Sequence, residues 1–426
     1  MEIGKRIKIN SANWVLVLLC LVLSNKVLYC QHTDLVDSLQ ANILADTGKS
    51  YFLPDVNHKN MRWAKGGNKL FTHQLGFAIL LDYDVNIQDE TSKTQVGEQP
   101  TTGDIRSARV MLRGKINFKA PWSYLISVEY KGFDREEDDP AFGLTDLKFV
   151  IPLGKTSDLT VGKIKETFAY EMVGDAANLP HQERLLNPFF KSRNTGISLK
   201  KYLLKDRMTI AGGWFNDWFS GGSGANTFTT RITGLPKWEL EGKHYMHSAV
   251  SLRYAEAVDG KVRLKGKNET NVGTDYVDTK SFDANHQLNV GVEQLWSMEN
   301  FSVLMEYIHN WTHTPGNGTE QFNGYYVTTS YVVSGEQRPY DKRAAYARRI
   351  KPTGTHGAWE LVGRFGSVNL NNRDIHGGTN NRYTFGLNWW ATQYWKAGLF
   401  YGISNLDRDN MTGTTNSFQF RIQWIY

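Results

Sequence analysis

Alternation of apolar and polar residues constrains this chain more than any other feature. Between residues 75 and 426, sixteen segments of about eight to fourteen residues alternate in this way, with turn residues between them. The last segment, SFQFRIQWIY (417–426), places Phe418, Phe420 and Ile422 on one face and Gln419 and Arg421 on the other. Such a pattern predicts strands with one apolar and one polar face.

The segments predict an all-β fold, namely a transmembrane antiparallel β-barrel of about sixteen strands. Each segment is long enough to cross a bilayer as a tilted strand, and barrels of this class have an even number of strands. An aromatic content of 13% fits the aromatic girdles of such barrels. A soluble all-β protein is the alternative, but its strands rarely carry so many large apolar groups on one face.

The connections between segments differ in length. Residues 119–121, 152–157 and 298–300 form short connections, whereas residues 88–103, 133–143, 258–286 and 335–356 form long polar ones. We therefore expect short turns at one end of the barrel and these long loops at the other.

The first thirty residues predict a secretory signal peptide. Lys5, Arg6 and Lys8 precede a ten-residue apolar run at 14–23, which is too short to span a bilayer. Acylation of Cys30, as in a lipoprotein, is the alternative. We expect a signal peptide at 1–30, a polar lead-in at 31–70 and the barrel at 71–426. Export of a β-barrel through this signal implies the bacterial outer membrane as the location.

Net charge and cysteine content exclude several classes of function. The formal charge of +6 falls to +3 without the signal peptide, which does not indicate a nucleic-acid partner. Both cysteines lie within residues 1–30, so the mature chain has neither a disulfide nor a thiol nucleophile. After the signal there is no apolar run of eighteen residues, so no membrane-spanning helix is expected.

The side chains predicted to face the lumen are mostly basic. Charges on the lipid face cost roughly 2–4 kcal/mol at the bilayer midplane, which favours the inward assignment. The inner rows hold ten basic residues: Arg109, Arg113, Lys115, Lys131, Arg231, Arg253, Arg364, Arg382, Lys396 and Arg421. The acidic residues assigned to the same face are Glu129, Glu293, Glu306 and Glu360. The excess predicts a positive lumen that selects anions, although pairing among the charges is the alternative.

Residues 161–197 break the alternation and form the longest such stretch in the middle of the chain. At about thirty residues, this connection between the fifth and sixth strands is too long for a hairpin turn. We interpret it as a constriction loop folded into the lumen. Its basic residues are Lys163, Lys165, Arg184, Lys191 and Arg193.

Sequence motifs for catalysis or metal binding are missing. The sequence has no HExxH, GxSxG, P-loop or CxxC motif, and His309 and His313 stand where a strand runs into a loop. We therefore predict that the protein is not an enzyme and has no metal, no cofactor and no catalytic residue.

The chain resembles the phosphate-selective porins of the O and P type from about residue 75 onward. The resemblance is carried in order by DIRSARVMLRG (104–114), LTVGKIKETF (159–168), ERLLNPFFKSRNTG (183–196), GGWFN (212–216), GYYVTTSYVVSG (324–335), GAWELVGR (357–364) and GLNWW (386–390). It implies a sixteen-stranded barrel, usually a homotrimer, with residues 166–194 as the in-folded loop. Lys165, Arg184 and Arg193 match basic positions of that family's motif.

The resemblance also implies a function. Family members pass small anions by diffusion through a water-filled pore, and phosphate is the anion for the type members. We expect small phosphate-like anions and outer-membrane lipid as partners. A weakly selective porin for another solute, or a structural or adhesion barrel, is the alternative.

Overall fold

A computed structural model describes residues 64–130, 142–216 and 224–426. Sixteen long strands form one antiparallel sheet in these ranges. They are β1 (Phe71–Gln88), β2 (Thr102–Ile116), β3 (Trp122–Tyr130), β4 (Phe142–Pro152), β5 (Ser157–Ile164), β6 (Asn194–Leu203), β7 (Met208–Asn216), β8 (Asn226–Glu239), β9 (His244–Glu256), β10 (His286–Met298), β11 (Phe301–Thr314), β12 (Gly318–Val332), β13 (Ala358–Asn372), β14 (Ile375–Trp390), β15 (Trp395–Arg408) and β16 (Met411–Ile425). Each corresponds to one of the sixteen predicted segments.

The sheet closes on itself into a barrel. Neighbouring strands pair in chain order, and β1 pairs with both β2 and β16. The closing register runs from Ala78 opposite Ile425 to Gln88 opposite Thr415. In the described ranges, closure leaves none of the sixteen long strands at an open edge of the sheet, which is what a bilayer requires of a β-structure. The predicted sixteen-stranded antiparallel barrel is confirmed.

The two faces of the wall differ as the alternation requires. On β9, Val250 and Leu252 are exposed on the outer face, while the alternate residues Ser251 and Arg253 are buried inside. The last strand repeats the pattern, with Phe418 outside and Arg421 inside. The apolar side chains of the outward rows contact the hydrocarbon core of the membrane, and the polar side chains of the alternate rows face the lumen.

One long connection lies at the opposite end from the one predicted. Residues 315–317 join β11 to β12 tightly at the end that carries the long loops. The next connection, residues 333–357, therefore falls among the short turns, and we call it the turn-end segment. Grouping it with the long loops was wrong, because length alone does not show at which end a connection lies.

The lumen is partly filled by the chain itself. Residues 165–193, the in-folded loop, and residues 257–285, the capping loop, contribute apolar side chains to a buried core inside the wall. Wall residues of β9–β13 and β15 complete this core, together with Tyr346 and Ala347 of the turn-end segment. The core members from the in-folded loop are Phe168, Ala169, Tyr170, Met172, Leu179, Leu185, Leu186 and Phe189. Water is therefore excluded from much of the β9–β15 side.

Helices are few in the part of the chain that the structure describes. They are α1 (Glu90–Val96), α2 (Tyr170–Val173) and single 3-10 turns. None of the helices in these ranges is long and apolar enough to cross a membrane. Short two-residue ladders brace the capping loop and the turn-end segment, and Lys65–Gly67 pairs with the start of β1. The predicted signal peptide, the lead-in up to residue 63 and Lys131 lie outside the described residues.

Candidate functional site

The in-folded loop is fixed to the wall across the lumen. At its start, the backbone N–H groups of Tyr170 and Glu171 donate to the Glu306 carboxylate of β11, at 2.6 and 3.3 Å. Further along, Glu183 accepts from Arg421 of β16 at 2.6 Å. Wall side chains from β14, β15 and β16 also donate to carbonyl oxygens at Pro180, Leu179 and Ala177. The loop therefore crosses the barrel and divides the lumen.

A chamber of about 990 Å³ remains between this loop and the inner wall of β1–β6. Its lining includes Thr72 at the start of β1, Lys115 near the end of β2 and Ser123 at the start of β3. All three positions lie near the short turns, so the chamber reaches toward that end of the barrel. We call it the basic chamber.

Basic side chains dominate the chamber lining. Twelve basic residues meet only four acidic ones, Glu129, Asp146, Glu166 and Asp175. The basic residues are Lys65, Arg106, Arg109, Arg113, Lys115, Lys148, Lys165, Arg184, Arg193, Lys200, Arg348 and Arg349. Two further carboxylates that are not among the lining residues, Glu183 and Asp341, pair with Arg106 and Arg348, and the remaining excess of six charges gives the chamber a positive field.

The four carboxylates are already engaged. Arg109 pairs with Glu129 at 2.7 Å, and Arg193 pairs with Asp146 at 3.2 Å. Glu166 pairs with Arg253, and Asp175 with Lys165. Within the described ranges no ion pair joins a carboxylate to seven of the basic residues: Lys65, Arg113, Lys115, Lys148, Arg184, Lys200 and Arg349. These charges remain available to a solute.

Two arginines of the chamber also retain an unused donor. The Nε atoms of Arg109 and Arg193 are buried, and neither finds a hydrogen-bond partner among the described residues. Each of these guanidinium groups is held by a carboxylate on its other side. Because these Nε atoms are buried, a solute in the chamber would meet the outer parts of the two guanidinium groups, which are 20% and 14% exposed and are held in place by the carboxylates.

Lys165 stands where the in-folded loop leaves β5. Its Nζ donates to Asp175 Oδ1 and to the Gly174 carbonyl oxygen, both at 2.9 Å. Burial lowers the pKa of Lys165 to about 8, and Arg193 and Arg184 act in the same direction against the opposing Asp175. Burial raises the pKa of Asp175, but Lys165 outweighs this effect and holds the pKa below its ordinary value.

Arg184 turns its guanidinium toward the backbone of its own loop. Nε donates to the Glu171 carbonyl oxygen at 2.6 Å, and Nη2 donates to that of Gly174 at 3.3 Å. Burial lowers the pKa of Arg184, although an arginine stays charged at physiological pH. Carbonyl dipoles satisfy its donors without cancelling its charge, so it adds to the positive field.

Comparison with known proteins identifies the family. A family model described as "Phosphate-selective porin O and P" matches residues 74–426. The chain belongs to this family. Porin O of Pseudomonas aeruginosa is 24% identical over 151 residues, which cover 32% of this chain and 34% of that protein. The match thus spans about a third of that relative's length.

Solved structures of porins share the fold. An anion-selective porin from Comamonas acidovorans superposes with a TM-score of 0.55 at 9% identity, covering 84% of this chain and all of that one. The trimer form of OmpT from Vibrio cholerae gives a TM-score of 0.52 at 9% identity, with 83% and 99% covered. With the family match, these likenesses make the protein a porin of the bacterial outer membrane.

The structure divides the residues predicted from the sequence of this porin into two groups. The basic chamber brings together Arg109, Arg113, Lys115, Lys165, Arg184 and Arg193. Lys191 is exposed and is not part of the chamber lining. Lys163 follows Leu159 and Val161 in the outward row of β5. In the sheet it stands opposite Leu147 of β4, whose side chain is exposed on the outer face. The assignment of Lys163 to the constriction was therefore wrong, because β5 keeps its alternation up to Ile164.

Five of the predicted lumen charges are neutralised by neighbours. Arg231 pairs with Glu293 at 2.6 Å, and Arg253 with Glu166 at 2.6 Å. The other three ion-paired arginines are Arg364 with Glu171 and Glu269, Arg382 with Glu269, and Arg421 with Asp82 and Glu183. Lys396 donates to the Leu179 carbonyl oxygen, which satisfies a donor without cancelling the charge. For the five arginines, internal pairing is the correct interpretation.

Several chamber residues escaped the sequence argument. Arg106 has the parity of an outward residue, but a β-bulge shifts the register beside it, and its Nε donates to Glu183 at 2.6 Å. Lys148 and Lys200 do follow the inward rows of β4 and β6, so the alternation could have found them. Arg348 and Arg349 belong to the turn-end segment, whose path only the fold reveals. No cluster of three or more metal-ligating side chains occurs among the described residues.

Proposed function

We propose that this porin is an anion-preferring channel for passive uptake of small oxyanions such as phosphate. The observation that carries the proposal is the basic chamber, with twelve basic and four acidic side chains on its wall. A positive, water-filled constriction raises the local concentration of anions and repels cations. Transport by this route is diffusion and needs no catalytic residue, cofactor or metal.

The chemistry of the lining supports an oxyanion as the solute. The guanidinium groups of Arg109 and Arg193 are partly exposed and held in place by Glu129 and Asp146, and planar guanidinium forks match the oxygens of phosphate or carboxylate. Arg113, Lys115 and Lys200 supply charge without a carboxylate partner in the described residues. Contacts of this kind bind an anion weakly enough for release, because water keeps access to a chamber of about 990 Å³.

The relatives support the same assignment. The family description names phosphate selectivity, and one structural neighbour is an anion-selective porin. A homotrimer is part of the proposal, since the neighbour from Vibrio cholerae is known in a trimer form. Export by a signal peptide at residues 1–30 is also part of it, and so is contact of the outer wall with membrane lipid.

Planar-bilayer recording tests the proposal. In a potassium chloride gradient, the reversal potential should show anion preference, and added phosphate should reduce the chloride current in proportion to its occupancy of the chamber. The double variant Arg184→Gln/Arg193→Gln should weaken both effects. Lys163→Gln is the matched control, because that lysine lies in the outward row of β5.

Three outcomes would reject parts of the proposal. A lack of conductance would favour a structural or adhesion barrel. Cation preference would reject the anion channel. Anion preference without any phosphate block would leave a weakly selective anion porin for another solute, and phosphate would then no longer be the proposed cargo.

A further inference from the structure

A groove of about 930 Å³ indents the outer wall where β7–β10 approach the short turns. Its sides are apolar, and Ile232, Val250 and Val292 are 44%, 52% and 48% exposed. The residues lie on the outward rows of their strands, so the groove faces the membrane and not the lumen. It is therefore distinct from the basic chamber.

A β-bulge forms the groove. Along β8 and β9, Gly234 pairs with Ser248, but the next pairing joins Lys237 to Met246. The extra residue bends β8 away from the regular wall. A Cβ atom built on Gly234 would meet no other atom within 4 Å, so the missing side chain leaves the floor of the groove open.

Two basic residues stand at the turn end of the groove. Lys205 is exposed, and Arg207 is half-buried with Nε and Nη2 donating to the Leu235 carbonyl oxygen at 3.1 and 2.7 Å. Neither residue forms an ion pair with any other described residue. An apolar cleft with uncompensated positive charge at one end is complementary to an anionic amphiphile.

The floor of the groove contains an unsatisfied donor. Ser248 Oγ donates to Gln294 Oε1 at 2.8 Å, while Gln294 Nε2 has no hydrogen-bond partner in the part of the chain described. Gln294 lies two residues from Trp296, an exposed aromatic near the turn end of β10.

We propose that this groove binds an anionic glycerophospholipid from the leaflet on the short-turn side. One acyl chain lies along Ile232, Val250 and Val292, and the phosphate contacts Lys205 and Arg207. About six residues of β9 separate the turn from Val250, and this segment is about 20 Å long. Because the strand is tilted, it reaches a depth of about half the hydrocarbon thickness. The groove therefore has the length of a single lipid chain.

Native mass spectrometry of the full chain in detergent tests this site. Dioleoyl phosphatidylglycerol and dioleoyl phosphatidylcholine serve as probes, because they share acyl chains and differ in charge. The wild type should retain phosphatidylglycerol more tightly. Lys205→Gln should reduce this preference about fivefold, whereas Lys155→Gln, an exposed lysine of another turn, should not change it.

A second pair of variants tests the acyl-chain site. Gly234→Leu should fill the floor and weaken retention of both lipids, and Ser248→Leu should do the same if Gly234→Leu folds poorly. Gly212→Leu, on the neighbouring outward row, is the control. Equal retention of the two lipids by the wild type would overturn the proposal. A change in the oligomeric mass of Gly234→Leu without a change in lipid retention would also overturn it. The groove would then be occupied by a second copy of the chain.

Discussion

Arg364 of β13 donates from Nε to Glu269 Oε1 of the capping loop at 2.5 Å, and the same guanidinium donates from Nη2 to Glu171 of the in-folded loop at 2.8 Å. One wall arginine thus holds both loops inside the barrel. All three side chains are buried, and Tyr326 lies against the guanidinium at 4.0 Å. The path of the pore depends on this junction, because it keeps the β9–β15 side of the lumen filled.

Replacing Arg364 should destabilise the porin strongly. Arg364→Met leaves the Glu171 and Glu269 carboxylates buried without their shared partner, and removal of one member of a buried ion pair costs about 3–5 kcal/mol. The midpoint of denaturant unfolding in detergent should fall accordingly. Arg113→Met, at an exposed arginine of the chamber, should stay within about 0.5 kcal/mol of the wild type. Equal effects of the two variants would show that the junction does not hold the loops.

Lys200 and Lys201 are neighbours on opposite faces of β6. Replacing each in turn therefore distinguishes the effect of a charge inside the lumen from the effect of the net charge of the protein. Lys200 lines the basic chamber, whereas Lys201 is exposed on the outside and donates to Thr156 at 3.0 Å. Lys200→Gln should reduce the anion-to-cation permeability ratio by about 1.5-fold to fivefold, the range expected for one solvated charge. Lys201→Gln should leave the reversal potential unchanged. A similar shift in both variants would contradict the proposed pathway.

Anion preference should weaken as the pH rises through about 8. Burial lowers the pKa of Lys165 to about 8, so this lysine is protonated below that pH and loses its charge above it. The chamber then loses one of its positive charges, while the arginines remain charged. Reversal potentials measured between pH 6 and 10 in steps of about 0.5 (a range centred on that pKa) should show this loss. Lys165→Met should show a smaller change in anion preference over this range than the wild type, and an unaltered pH profile in that variant would exclude Lys165 as a titrating group.

Two glycines on the inner wall admit the in-folded loop. A Cβ atom on Gly366 would stand 2.4 Å from Leu185 Cδ2, and one on Gly324 would stand 2.8 Å from Leu186 Cδ2. Gly366→Ala should therefore push the loop away from β13, at a cost of about 1–3 kcal/mol from overpacking. Single-channel recordings should show more current noise as the loop loses its fixed position. Gly212→Ala, where the added atom meets only an ordinary contact, should leave the noise at the wild-type level.

The location of the porin's charges shows how far an argument from sequence can go. Alternation along β2 placed Arg109, Arg113 and Lys115 inside, and the structure finds all three in the chamber. Alternation does not place Arg106 inside, because a bulge is a single extra residue that leaves no mark in the pattern. It also could not tell Arg382 from Arg113. Both belong to inward rows, but only the fold brings Glu269 to Arg382.

The sequence by itself determined the barrel, because strand alternation is local and, away from bulges, the face of a side chain follows from its neighbours along the chain. It also determined that residues 165–193 were too long for a turn. Only the tertiary structure decided where the water and the free charge lie. The capping loop, the in-folded loop and the turn-end segment meet through contacts between residues far apart in the chain, and these contacts neutralise one side of the lumen. Among the described residues, seven basic side chains without an ion pair to a carboxylate line the chamber along β1–β6.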